Sequence, residues 1–188
     1  MKTERLREML DAVAAGRMTS EQAAESLKNL PFEDLGYAHV DTHRSLRTGL
    51  PEVIFGESKT PEQIVKIAER IVAAGGPLLA TRLRPEGAAA LIQGFPEGQH
   101  DALCRTFHLE VEPATVSGQG LVLVVSAGTS DIPVAGEAAL TARLMGNRVE
   151  TLYDVGVAGV HRLLEHRSLL QSARVIVVVA GMEGALPS

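Results

Sequence analysis

Three short stretches in the second half of the chain hold residues whose types and spacing could do chemistry. The first is Ser126-Ala127-Gly128-Thr129-Ser130-Asp131, directly after an apolar run. Small side chains let the backbone approach an anion, and the hydroxyls of Thr129 and Ser130 add donors, so a phosphate is the natural guest. The same residues equally suit a helix cap, with Pro133 in the first turn, and the two roles are compatible. The second stretch runs from Tyr153 to Arg162 and delivers a carboxylate (Asp154), an imidazole (His161) and a guanidinium (Arg162) around Gly156 and Gly159. His161 and Arg162 also suit solvent-facing places in the first turn of a helix. The third, Ala180 to Ser188, sets one acid, Glu183, among small residues after Gly181 and Met182. Glu183 could serve as a general base if burial raised its pKa, or as a carboxylate favoured at a helix start.

These stretches need elements to hold them. Leu121–Val125 (LVLVV) is a continuous run of branched aliphatic residues, which suits a strand buried on both faces. Val149–Tyr153 and Val175–Val179 are two further candidate strands, with helical segments near 133–146 and 160–170 between them. Strand, helix, strand, helix, strand is the pattern of two right-handed βαβ units in a parallel sheet. Ligands of such sheets bind just beyond the carboxyl ends of the strands, where all three stretches fall.

The first half reads differently. Leu6, Met9, Leu10 and Val13 lie on one helical face, and Thr19 with Gln22 forms a capping box for a second helix. Leu27 and Leu30 close that helix and Pro31 stops it, giving a helical hairpin over 1–30. A small α+β domain is expected over 31–112. Its parts are a strand at Glu52–Phe55, a helix capped by Thr60-Pro61-Glu62-Gln63, a strand at Pro77–Arg82, a helix at Glu86–Ile92, and one or two strands within Ala102–Val111. The uncharged, turn-rich residues 113–120 read as a linker to the α/β domain at 121–188.

Composition removes several classes of function. Among 188 residues the formal net charge is −5, which argues against a non-specific nucleic-acid binder. The single cysteine, Cys104, allows no intramolecular disulfide and no CxxC metal site. No stretch has the ~20 apolar residues that span a bilayer, and the N-terminus lacks the apolar segment of a signal peptide. A cytoplasmic protein is the expectation.

The strings at the three turns resemble those of aminoimidazole ribonucleotide carboxylases, the PurE-like superfamily. VVSAGTSD at 124–131 is similar to their phosphate-binding turn, VAGVHR at 157–162 to their His-Arg segment, and VVAGMEGALPS at 178–188 to their third loop. The order and spacing are compatible with that family. A still closer likeness is to the LarB-type branch, the pyridinium-3,5-biscarboxylic acid mononucleotide synthases of nickel-pincer cofactor synthesis. That branch combines TAGTSD, YDVGVAG-x-HR and AGMEGALPS with an N-terminal extension like residues 41–63 (DTHRSLRTGLPEVIFGESKTPEQ).

The resemblance implies a Rossmann- or flavodoxin-like three-layer α/β domain and a reaction on nicotinic acid adenine dinucleotide. The pyridinium ring would be carboxylated with CO2 or bicarbonate as co-substrate, and the phosphoanhydride hydrolysed to release AMP. An electron-poor ring carbon does not attack CO2, so a nucleophile, in this family a cysteine thiolate, must first add to the ring. Carried over, Ala127, Gly128, Thr129, Ser130 and Asp131 would cradle phosphate and ribose. Asp154, Gly159, His161 and Arg162 would line the ring and phosphate edge beside Gly181 and Met182. Glu183 would take the ring proton, with Asp154 a second catalytic candidate. Arg44, Arg47 and Lys59 would meet the AMP half, although a solvated basic face is the plainer account of them.

A divalent ion such as Mg2+ would help cleave the phosphoanhydride, but no acidic cluster marks its ligands. A homo-oligomer is expected, an octamer by resemblance. The family's catalytic cysteine lies past the third loop, and Cys104, before the linker, is read as a packing thiol. Three strands also leave an apolar sheet edge. The expectation is therefore a shortened, inactive form of a longer carboxylase. A purine-pathway carboxylase and a non-catalytic nucleotide-binding module are the alternatives.

Overall fold

The computed structural model describes residues 3–27, 33–41, 44, 51–110 and 116–188. Leu30, Pro31, Arg47 and the first three residues of the expected linker, 113–115, lie outside them. The chain divides into two compact units. One comprises Met1–Gln99 with Phe107–Val111, and the other His100–Thr106 with Glu112–Ser188.

In the first unit, helices α1 (Thr3–Ala14) and α2 (Ser20–Leu27) form the hairpin. The second starts on the expected capping box, with the Gln22 N–H donating to Thr19 Oγ1 and the Thr19 N–H to Gln22 Oε1. A two-residue ladder of β1 (Glu33–Asp34) and β2 (His39–Val40) follows. The sequence pattern gives no sign of it, because strands this short show no periodicity. Its turn is made by Gly36 at φ +82°.

Strand β3 (Ile54–Phe55) then leads through residues 56–60 into α3 (Pro61–Ala73), and β4 (Leu78–Thr81) returns parallel to β3. Ile64, Ile67, Ala68 and Ile71 fall on one face of α3 and are buried, as the stripe requires. Helix α4 (Pro85–Gly94), β5 (Gln99–Asp101) and β6 (Thr106–Leu109) complete the sheet in the order β3-β4-β6-β5, with β6 antiparallel to β4. Phe107 on β6 is fully buried in this core.

The second unit holds the parallel sheet. Strand β7 (Leu121–Ser126) lies between β8 (Arg148–Leu152) and β9 (Ala173–Val179), parallel to both. Alternate residues of β7 serve opposite faces, as a strand's period of two demands. Leu123 and Val125 pack with Leu152, Val155, Leu163 of α6 (Val160–Glu165) and Leu169 and Leu170 of α7 (Arg167–Ser172). Val124 packs with Ala135 and Ala139 of α5 (Ile132–Leu144). Helices on both faces of a parallel sheet give the three-layer α/β architecture expected.

One detail departs from expectation. The single helix expected near 160–170 is two helices broken at His166, which ends α6 and begins α7 at φ −99°, ψ 23°. The apolar edge expected of a three-strand sheet lies at β9, where Val175 is 51% and Ile176 43% exposed within this chain.

Candidate active site

Because β7, β8 and β9 are parallel, and β7 pairs without a shift from Val122 onward, their carboxyl ends fall along one rim. Backbone hydrogen bonds tie the first turn to its neighbours there. The Ala127 N–H donates to the Val179 carbonyl at 3.0 Å, the Val155 N–H to that of Ser126 at 3.1 Å, and the Gly156 N–H to that of Ala127 at 2.8 Å. The first turn is thus bonded to the second and to the end of β9, from which the third departs. A side chain at Gly156 would place its Cβ 2.9 Å from the Ala127 oxygen, so only glycine permits this approach.

The first turn does not cap α5 in the simple way considered above. Thr129–Asp131 forms a single 3-10 turn, and Asp131 stands at the N-cap of α5 with no side-chain bond into that helix. Its carboxylate reaches back instead and accepts the Gly128 N–H at 2.9 Å. Pro133 does lie in the first turn of α5. With the N–H groups of Ala127, Gly128 and Asp131 all donated within the protein, those of Thr129 and Ser130 at the start of the turn remain for an oxyanion. Both residues are exposed.

In the second turn Asp154 takes a left-handed backbone, φ +60°. Its N–H donates to the hydroxyl of Ser126, which is fully buried, at 3.4 Å. Its carboxylate accepts from Arg162 Nη1 at 2.5 Å, and the two side chains are 49% and 42% exposed. An exposed pair of this kind contributes ~0.2–1 kcal/mol to stability, no more than the ~1 kcal/mol a non-glycine residue costs at positive φ. Net stability is therefore a poor reason for the pairing. His161, by contrast, lies on the exposed face of α6, as a first-turn residue that faces water would.

The third turn carries Gly181, Met182 and Glu183, all exposed, with Glu183 at φ +41°. The enclosure expected of a general base is not found around Glu183 among the described residues. Nor does Glu183 begin a helix: the segment closes as a turn, with the Ala185 N–H donating to the Met182 carbonyl. The sequence names Ser126 and Gly156 as members of their stretches but gives neither a role of its own. The signal available was a serine ending an otherwise apolar strand, where a buried hydroxyl needs a partner.

Cys104 is buried, and its N–H donates to Asp101 Oδ1 at 2.9 Å. Burial pushes its thiol up to about 11, and the neighbouring carboxylates of Asp101 and Glu137 act in the same direction. A thiol so held is a poor nucleophile at neutral pH. In the first unit, Arg44 pairs with Glu52 at 3.7 Å, and the Lys59 N–H donates to the Gly56 carbonyl. No group of three His, Cys, Asp or Glu residues able to hold a metal ion occurs among the described residues. No described helix is long and apolar enough to cross a membrane.

Two comparisons bear on this site. Residues 32–112 match the family described as the LarB/PurE-like N-terminal domain. An uncharacterized protein of Methanocaldococcus jannaschii is 36% identical over 191 residues, an alignment that covers 97% of this chain and 75% of the relative.

Proposed function

The chain belongs to the LarB/PurE-like family, whose chemistry is carboxylase-type, and on that premise we propose that its α/β unit binds nicotinic acid adenine dinucleotide for carboxylation of the pyridinium ring. In this reading CO2 or bicarbonate is the co-substrate, and phosphoanhydride cleavage releases AMP. The observation that carries the proposal is the stitched rim. Turns at Ala127–Asp131, Asp154–Arg162 and Gly181–Glu183 follow three parallel strands, and the first is hydrogen-bonded to the second and to Val179, the strand end from which the third departs.

Each turn has a task in such a reaction. The N–H groups of Thr129 and Ser130 receive a phosphate of the dinucleotide, where the helix dipole favours negative charge. Arg162, a rigid fork of donors, receives a second oxyanion of the substrate. Glu183 accepts the ring proton after carboxylation. It gains the necessary enclosure from bound substrate, which would displace water from the rim. A pyridinium substrate is preferred to an aminoimidazole one because the segment at 41–63 resembles the N-terminal extension of the LarB-type branch.

Addition of a thiolate to the ring is not assigned to Cys104, the one cysteine of the 188 residues, because its thiol is buried and protonated at neutral pH. The same fact favours a second reading, in which these residues bind the nucleotide without transforming it. Divalent-metal assistance is assigned no ligand.

Calorimetric titration of the 188-residue chain with nicotinic acid adenine dinucleotide tests the proposal. Saturable binding is expected, lost when Ser130→Pro removes a turn N–H. Incubation with the dinucleotide and labelled bicarbonate is expected to fix no label. Label in the pyridine ring would overturn the assignment of Cys104, and a chain that binds no dinucleotide would overturn the function.

A further inference from the structure

We propose that Asp154 is a positioning residue that acts through Arg162, and that Gly159 supplies the space this arrangement requires. The proposal rests on the functional reading above and specifies how that site takes hold of an oxyanion. Asp154 was a candidate for acid–base work, yet its carboxylate is already engaged, accepting from Arg162 Nη1.

The guanidinium is held on one side and given room on another. Asp154 holds Nη1. The backbone of Gly159 runs so close that a Cβ there would lie 2.7 Å from Arg162 Nε and 2.8 Å from Nη2. Any side chain at 159 would push the fork out of its place. Asp154 is in turn referenced to the sheet, since its N–H and that of Val155 both donate to Ser126, through the hydroxyl and the carbonyl respectively. Ser126 is the residue from which the Ala127–Asp131 turn departs. Arg162 is thus set relative to the same strand end that presents the N–H groups of Thr129 and Ser130.

A guanidinium has five N–H donors in a fixed fork, and the pair with Asp154 uses one nitrogen. Arg162 remains 42% exposed, so a ligand can reach it from solvent. The chemistry it fits is an oxyanion, either a phosphate of the dinucleotide or the carboxylate of its pyridine ring. Holding the fork before the ligand arrives reduces the side-chain entropy lost on binding. That is a reason to keep a charged pair that contributes little to folding.

The test is a double-mutant cycle in the 188-residue chain, read by calorimetry with three probes. These are nicotinic acid adenine dinucleotide, NAD (the same phosphates with an amide in place of the carboxylate) and inorganic pyrophosphate. Asp154→Asn is expected to weaken dinucleotide binding about tenfold and leave the thermal midpoint unchanged, because asparagine also adopts positive φ readily. Asp154→Gly should bind as weakly and unfold no earlier, since glycine relieves the backbone strain.

Arg162→Ala should lose at least as much affinity, and adding Asp154→Asn to it should cost nothing further. Gly159→Ala should resemble Arg162→Ala in binding. If Arg162 holds the ring carboxylate, its loss shows with nicotinic acid adenine dinucleotide and not with NAD; if it holds a phosphate, the losses are equal. Multiplying effects of Asp154→Asn and Arg162→Ala, or unchanged affinity in Asp154→Asn, would overturn the positioning role. Should neither dinucleotide bind the unaltered chain, the functional reading fails on its own account, and the cycle with pyrophosphate decides the positioning role. No pyrophosphate binding either would overturn both.

Discussion

Strands β3 and β7 each run parallel to a neighbour and pass through a few residues into a helix of 13 residues. The two helix starts are finished in different ways. At α3 the Gln63 N–H donates to Thr60 Oγ1, the Thr60 N–H donates to Gln63 Oε1, and Pro61 has no N–H to offer. Glu62 lies below the usual carboxylate range, held there by its own backbone N–H and then by the Thr60 hydroxyl. Every donor of that first turn thus has a partner or is missing, and the joint has nothing left for a ligand. At α5 the equivalent acceptor, Asp131, turns backward to Gly128 and leaves the two N–H groups between them, of Thr129 and Ser130, unclaimed by any side chain. One supersecondary unit can therefore close its first turn or leave two N–H groups open, as the proposed anion site requires, and the direction in which one side chain reaches distinguishes the two.

The contrast predicts that damage in the first unit is read as lost stability, and damage at the rim of the second as lost binding. The largest expected effect is Phe107→Ala. This side chain is fully buried in the first core, so its removal should cost ~3–5 kcal/mol, seen as a lower urea midpoint. A variant that unfolds at the unaltered midpoint would mean that this core does not govern the unit. Next comes Asp131→Ala. Loss of its bond to Gly128 releases the turn that presents Thr129 and Ser130, and affinity for nicotinic acid adenine dinucleotide should fall about tenfold by calorimetry. Its counterpart, Thr60→Ala, should cost ~1 kcal/mol of stability through the lost cap and leave dinucleotide affinity unchanged. Weaker binding in Thr60→Ala would break the comparison at its centre.

Much of this was legible in the residues, for physical reasons that differ by feature. The capping boxes at Thr19 and Thr60 are local, with both partners three residues apart, and they formed as spelled. The parallel sheet was legible because LVLVV has no polar face to give to solvent. The apolar edge at β9 was legible as well, because a pattern of three strands gives VIVVV too few neighbours to cover it. The break at His166 was not, since it interrupts the helical pattern without a glycine or proline. At the site, the sequence named Asp154, Arg162 and Gly159, but the bond between the first two spans a loop of eight residues and the clearance at the third depends on where the Arg162 side chain turns, neither of which spacing dictates. The backward reach of Asp131 is local, over three residues, yet the residue order serves it as well as it serves a forward cap.

The smallest effect concerns His108, on β6 in the first unit, opposite Leu79 of β4. Burial holds its imidazole below the ordinary value of 6.5, and the charge of Glu110 opposes this without reversing it. The folded state therefore binds this proton less readily than the unfolded chain. At pH above the ordinary value both states hold His108 neutral and it makes no difference to stability. As pH falls through 6.5 toward the depressed folded value, the unfolded chain takes up the proton first, and stability declines over that window. Thermal midpoints measured from pH 7.5 down to 5.5 should accordingly show a downward component that His108→Gln removes. Carboxylates such as Asp101, held low by the Cys104 N–H, begin to contribute only at more acidic pH. A midpoint in that range that responds equally in both proteins would place the sensitivity elsewhere. It would also remove the first unit's one ionisable link between burial and stability proposed here, leaving its contrast with the rim to rest on packing and capping alone.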